Sequence, residues 1–348
     1  MRRIGNYVVK GLLGRGGMGA VYKALHPVLD KMTALKVLSP EETLEASLGM
    51  DRLKEQFLRE ARIMASLYHP NIADVFDGSD GSDGGPVYFA MEYCCGNLGL
   101  VMGESYRADA PSRVLPLDRA CAYAGQILRG LGRMHHAGIV HRDIKPFNIL
   151  LAERDRVKII DFGLSRLRGE TRGAGSSNIK IGTPFYAAPE QERDPDTVGP
   201  QADLYAAGVT LFRMLSGRLP LVEDEDDPVL SRTGQGPDGI LKISGLNSDL
   251  DSGWDEFFFK SLAQRPEDRF SSAGEMAGSL NVLVREWRAK MEGVCRMIEE
   301  LESPDKEIQR TAPRSRPGQG WPGKGRGSAW PGRAGFSARI PGKFVARA

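Results

Sequence analysis

Cysteine is scarce in this 348-residue chain, and the four present, Cys94, Cys95, Cys121 and Cys295, show no C-x-x-C spacing. Adjacent Cys94 and Cys95 cannot easily serve one tetrahedral metal, so the reading is reduced thiols in a cytoplasmic protein. Long apolar runs are lacking too. No stretch reaches the roughly 18 apolar residues of a membrane span, which points to a soluble chain without one. Arg2 and Arg3 lie near the start, but Asn6 and Lys10 interrupt the residues after them and leave no apolar core for a signal peptide. Acidic residues run out at the other end: from Arg310 onward there are nine Lys or Arg and no Asp or Glu. There Trp321-Pro322-Gly323-Lys324, Trp330-Pro331-Gly332-Arg333 and Ile340-Pro341-Gly342-Lys343 form a loose repeat, too short and glycine-rich to build a solenoid. Disorder is expected for this tail. It reads as a passive tether or a substrate for autophosphorylation, with weak, salt-sensitive contact with nucleic acid as the sharper alternative. The rest is ordinary. With 41% hydrophobic and 26% charged residues and a formal net charge of +2, the chain can hold one large two-lobed domain or two ordinary ones.

The most informative stretch runs from Ile139 to Gly163. Apolar runs at Ile149 to Leu151 and Val157 to Ile160 flank a polar segment, which reads as a β-hairpin. Asn148 comes just before the first strand and Asp161 just after the second, so antiparallel pairing brings them together at the open end. Asp143 lies five residues before Asn148. Carboxylates and a carboxamide suit hard Mg²⁺ ions, and a further carboxylate there is free to accept a proton. Lys145 adds a mobile cation.

Nearer the N-terminus, strand-like runs at Tyr7 to Leu13 and Ala20 to Leu25 flank Gly14-Arg15-Gly16-Gly17-Met18-Gly19. Such glycines let backbone N–H groups approach phosphate oxygens with no Cβ in the way, although a plain glycine hairpin has the same pattern. Strand rather than helix continues after the last glycine, which argues against a dinucleotide-binding unit. Met32 to Leu38 reads as a strand whose period of two puts Ala34 and Lys36 on one face. In the next helix Phe57, Ala61, Met64, Leu67 and Tyr68 make an apolar stripe on which Glu60 also lies. A carboxylate on a buried face requires a cationic partner, and Lys36 is the candidate.

His141-Arg142-Asp143, followed by Lys145 and Asn148 and then by Asp161-Phe162-Gly163, resembles the catalytic loop and metal-binding motif of eukaryotic-type (Hanks-type) protein kinases. A lysine two residues after the aspartate goes with the serine/threonine branch, here in a bacterial-like, soluble form. The resemblance implies an α+β, two-lobed protein kinase fold. Residues 1–91 are expected to form the small antiparallel lobe, 92–97 the hinge, 98–303 the larger helical lobe and 304–348 the basic tail. ATP and Mg²⁺ are the implied cofactors and Ser/Thr-bearing proteins the substrates, with self-association for autophosphorylation. A scaffold that binds nucleotide without catalysis is the alternative, favoured only by loss of Lys36, Asp143 or Asp161, all of which are present.

Residue by residue, the resemblance makes Asp143, Lys145 and Asn148 catalytic, and Asn148 and Asp161 metal ligands. Leu13, Gly14, Arg15, Gly16, Gly17, Met18, Gly19, Ala20 and Val21 cover the nucleotide, Ala34 rests on it, and Lys36, held by Glu60, reaches its phosphates. Met91 guards the back of the pocket, and Glu92 to Cys94 present the backbone to the adenine edge. His141 is a packing residue. Arg142 is the cation that a phosphate on Thr171, Ser176 or Ser177 would meet, while Thr183 touches Asp143 and Lys145. Asp203 supports the catalytic loop, with a helix N-cap as its plain reading, and Arg269 pairs with Glu190. The acidic run Glu223 to Asp227 reads as a solvated loop or a docking surface for basic segments. Helix is expected over Leu117 to His136, and over Asn281 to Leu301 with Leu283, Val284, Trp287, Met291, Val294, Cys295 and Ile298 on its packing side. The segments Glu104 to Pro116 and Leu221 to Ser252 match no feature of the family.

Overall fold

The computed structural model describes residues 2–104, 110–161, 184–193, 198–221 and 234–301, the last of these as backbone only from 294. Outside them lie Phe162 and Gly163, the hydroxyl residues Thr171, Ser176, Ser177 and Thr183, the acidic run from Glu223, and the tail. The chain divides into compact units of residues 1–294 and 295–348, and in the second the described residues are the end of the last helix.

The first lobe is a six-stranded antiparallel sheet. Its strands are β1 (Arg3–Ile4), β2 (Tyr7–Gly16), β3 (Gly19–His26), β4 (Lys31–Leu38), β5 (Val75–Ser79) and β6 (Tyr88–Glu92), in the order β1-β2-β3-β4-β6-β5. Strand alternation gives the sheet two faces. One carries a small core of Tyr7, Ala20, Tyr22, Ala24, Leu35, Val37, Tyr88 and Ala90. On the other, the register aligns Val21, Lys36 and Phe89 in one row and Lys23, Ala34 and Met91 in the next. Gly19 must be glycine, since a Cβ there would lie 2.1 Å from the Val37 carbonyl oxygen.

Helix α1 (Glu42–Leu48) leads into α2 (Met50–Ser66), which buries Leu53, Phe57, Glu60 and Met64. The expected stripe overruns its helix: α2 stops at Ser66, before His69-Pro70-Asn71, and Tyr68 is 86% exposed. Leu67 has already left helical geometry at φ −104°, ψ 76°, so the period of 3.6 no longer governs the next side chain.

The second lobe is mainly helical. It contains α3 (Leu98–Met102), α4 (Leu117–His136), α5 (Pro189–Arg193), α6 (Pro200–Ser216), α7 (Ser252–Ser261) and α8 (Ala273–Leu301). A three-stranded sheet of β7 (Gly96–Asn97), β8 (Ile149–Ala152) and β9 (Arg156–Ile159) sits with them. Helix α6 is buried almost throughout. Pro200 starts it one residue after its N-cap Gly199, and Gly217 ends it in the left-handed region at φ 73°. Asp203 is therefore in the first turn and not the N-cap, which corrects the plain reading of that residue. Helix α8 begins at Ala273, eight positions before the expected start, because Ala273, Met276 and Leu280 continue the buried stripe. Leu283 and Val284 are buried and Trp287 packs on the core, whereas Met291 is 37% exposed and leaves the stripe.

Candidate active site

The hairpin β8–β9 places the side chains expected to be catalytic. Ile149 pairs with Ile159, Arg154 and Asp155 turn the chain at φ 58° and 55°, and the Ile160 N–H donates to the Asn148 carbonyl at 3.1 Å. This last bond closes the mouth, with Asn148 on one side and Asp161 just past Ile160 on the other. The Asn148 amide nitrogen donates to the Asp143 carbonyl oxygen at 2.8 Å and to its carboxylate at 3.0 Å. Lys145 Nζ reaches both Asp143 carboxylate oxygens, at 3.0 and 2.9 Å. One contiguous cluster thus joins Asp143, Lys145 and Asn148.

Lys36 arrives from the other lobe. Its ammonium, nearly enclosed, lies 2.8 Å from Glu60 and 2.7 Å from Asp161. Burial alone would lower its pKa, but Asp161 and Glu60 beside it raise it, so it remains a cation. Burial raises the Glu60 carboxyl against the pull of Lys36. Burial also acts to raise Asp161, yet Lys36 overrides it and holds that carboxyl below its usual range. Asp161 has φ 63°, a conformation uncommon for a residue with a side chain, which turns its carboxylate toward Lys36.

Most of the expected nucleotide-covering residues obey the strand geometry. Leu13, Gly14, Arg15 and Gly16 are exposed along the β2–β3 hairpin, Gly17, Gly19 and Val21 are half-buried, and Met18 turns inward to the main core. Val21, Ala34 and Lys36 share one sheet face, and Met91 lies beside Ala34. Ala20 does not join them. Its methyl group is buried on the opposite face with Tyr22 and Ala24, because adjacent strand residues point to opposite sides. Glu92 and Cys94 are half-buried at the lobe junction.

Beneath the loop that carries Asp143, Asp203 accepts hydrogen bonds from the backbone N–H groups of His141 and Arg142 at 2.9 and 2.7 Å, with His135 Nε2 also 2.8 Å away. His141 is fully buried, its Nε2 2.9 Å from the Ile160 carbonyl oxygen. Arg269 grips both Glu190 oxygens, at 2.7 and 2.8 Å.

Two buried groups carry no motif. Glu104, in a segment without family features, accepts from the Tyr186 hydroxyl at 2.5 Å and lies 3.4 Å from Arg213 of α6. Lys158, in the middle of β9, is 3% exposed and lies 2.6 Å from Glu92. The usable signal was a lone cation inside each apolar run, which must be paired once buried.

This geometry has counterparts in known proteins. The protein kinase domain family matches residues 7–280. The chain is 36% identical over 277 residues to the serine/threonine-protein kinase PksC of Streptomyces coelicolor, covering 78% of this chain and 48% of the relative. It is 32% identical over 279 residues to the serine/threonine-protein kinase PknB of Mycobacterium leprae, covering 79% and 42%. It therefore spans less than half the length of both relatives. Among solved structures, the PknI kinase domain of Mycobacterium tuberculosis is similar with a TM-score of 0.56 and 29% identity, over 81% of this chain and 97% of that one. The chain therefore belongs to the protein kinase domain family, in its bacterial-like, Hanks-type serine/threonine branch.

Proposed function

We propose that this chain transfers the γ-phosphoryl group of ATP to serine and threonine hydroxyls of proteins. The observation that carries the reading is the meeting of Lys36, Glu60 and Asp161 with Asp143, Lys145 and Asn148 around one hairpin mouth. Asp143 orients the acceptor hydroxyl and takes its proton as the oxygen bonds to the γ-phosphorus and the bond to ADP breaks. Lys145 neutralises charge on the moving group, and Lys36 tethers the α- and β-phosphates.

Asn148 and Asp161 fit Mg²⁺. The Asn148 amide nitrogen is engaged by Asp143, which leaves its carboxamide oxygen to offer, and Asp161 is held anionic by Lys36. Both are hard oxygen donors, with phosphate oxygens as natural partners. Mg²⁺ held there would neutralise phosphate charge as it moves.

Among the described residues no helix is long and apolar enough to cross a membrane. Autophosphorylation through self-association, a cytoplasmic setting and a weak nucleic-acid contact of the basic tail belong to the same proposal. Incubation with γ-labelled ATP, Mg²⁺ and a generic protein substrate, followed by phosphoamino acid analysis, tests it. Label is expected on phosphoserine and phosphothreonine. Label on phosphotyrosine alone, or none at all, would overturn it.

A further inference from the structure

Lys158 has no part in the phosphoryl-transfer chemistry, yet it is among the most buried cations of the described residues. A desolvated ammonium is costly unless carboxylates and carbonyls surround it, and here they do. Its Nζ lies 2.6 Å from the Glu92 carboxylate, 3.9 Å from that of Asp74 and 3.2 Å from the Ile72 carbonyl oxygen, to which it donates. Backbone bonds complete the ring around it. The Glu92 N–H donates to the Asp74 carbonyl at 2.9 Å, Ala73 N–H to the Ile159 carbonyl at 3.1 Å, and Ile159 N–H to the Asn71 carbonyl at 3.0 Å.

The ring ties two distant parts of the site. Glu92 ends β6 and opens the linker 92–94, while Lys158 on β9 precedes Asp161 by three residues. Three residues of extended chain span roughly 10 Å, so one short segment carries both a grip on the linker and the carboxylate at the hairpin mouth. The field of Lys158 also reaches the linker. Burial and Glu92 push the Cys94 thiol up to about 11, and Lys158 acts against them.

We infer that Lys158 is a nucleotide-positioning residue: through Glu92 it holds the 92–94 backbone in place for the purine edge. The inference rests on the proposed kinase activity, in which that backbone meets adenine. It makes no claim on the phosphates, which are the province of Lys36.

Calorimetric titration of the intact chain with ADP and, separately, with inorganic tripolyphosphate is the test. Loss of one partner of a buried charge pair corresponds to about a 10-fold to 100-fold change in affinity. Lys158→Met is expected to weaken ADP binding by that factor and leave tripolyphosphate within about twofold, whereas Lys158→Arg retains most of the ADP affinity. Glu92→Gln is expected to weaken ADP in the same way. It keeps Lys158 beside Asp74 and the Ile72 carbonyl, and so it carries the test if Lys158→Met does not fold. ADP affinity unchanged in a folded variant, or equal losses for ADP and tripolyphosphate, would overturn the inference. A wild-type chain that binds no ADP would instead overturn the kinase reading.

Discussion

Replacement of Asp143 by Asn is expected to lower phosphoryl transfer by about 10²-fold to 10⁴-fold, the range for losing a positioned general base. The carboxamide keeps an oxygen toward Lys145 but cannot take up the hydroxyl proton. Where the carboxylate accepted from the Asn148 amide at 3.0 Å, the variant can also present a second donor to that donor. Folding should change little, since Asp143 is half-buried and lies at the surface of the cleft. ADP affinity should persist, because Lys36, Glu60 and Asp161 are untouched. Single-turnover transfer of labelled phosphate, measured beside ADP calorimetry, reads the two effects separately. Transfer above one tenth of wild type would deny Asp143 its role.

Arg269→Ala is expected to destabilise the fold by about 3–5 kcal/mol, the cost of stranding one partner of a buried pair. The Arg269 side chain is completely enclosed. It binds both Glu190 oxygens, donates to the carbonyls of Ala263, Gln201 and Gln264 at 2.8, 3.2 and 3.1 Å, and lies over the Tyr205 ring at 4.8 Å. Removing it leaves a carboxylate and three carbonyls short of donors. Lysine offers a point charge in place of a planar fork, so Arg269→Lys should recover only a minor part. Glu190→Gln, which leaves a neutral acceptor, should cost less than Arg269→Ala. Denaturant midpoints at unchanged slope give these differences directly. A loss below about 1 kcal/mol for Arg269→Ala would reduce the pair to the energetic rank of a surface contact.

Distance along the chain decides which features the sequence discloses and which it hides. The hairpin mouth was legible because Asn148 and Asp161 flank two short apolar runs, and strand pairing alone brings their ends together. Glu60 was legible because a carboxylate on an apolar helix face needs a cation. Tyr68 leaves the stripe that its spacing predicts, because periodicity holds no record of where a helix stops. Position in a motif groups Ala20 with its neighbours, whereas alternation along β3 sends its methyl group to the other face. Glu104, Arg213 and Tyr186 come from three separate segments, and only the folded lobe brings them together. Lys158 lay hidden for the same reason, its partners Glu92, Asp74 and Ile72 all coming from the other lobe's end of the chain.

In the proposed reaction Asp161 and Asn148 would hold a metal against a nucleotide tethered by Lys36. The most direct measurement is the rise in melting temperature produced by ADP alone and by ADP with Mg²⁺, for the intact wild-type chain and for Asp161→Asn. Ligand that binds only the native state stabilises it in proportion to the logarithm of its concentration over Kd. A further rise is expected on adding Mg²⁺ to wild type with ADP, and loss of that increment in Asp161→Asn. An equal Mg²⁺ increment in both proteins, or none in wild type, would contradict it.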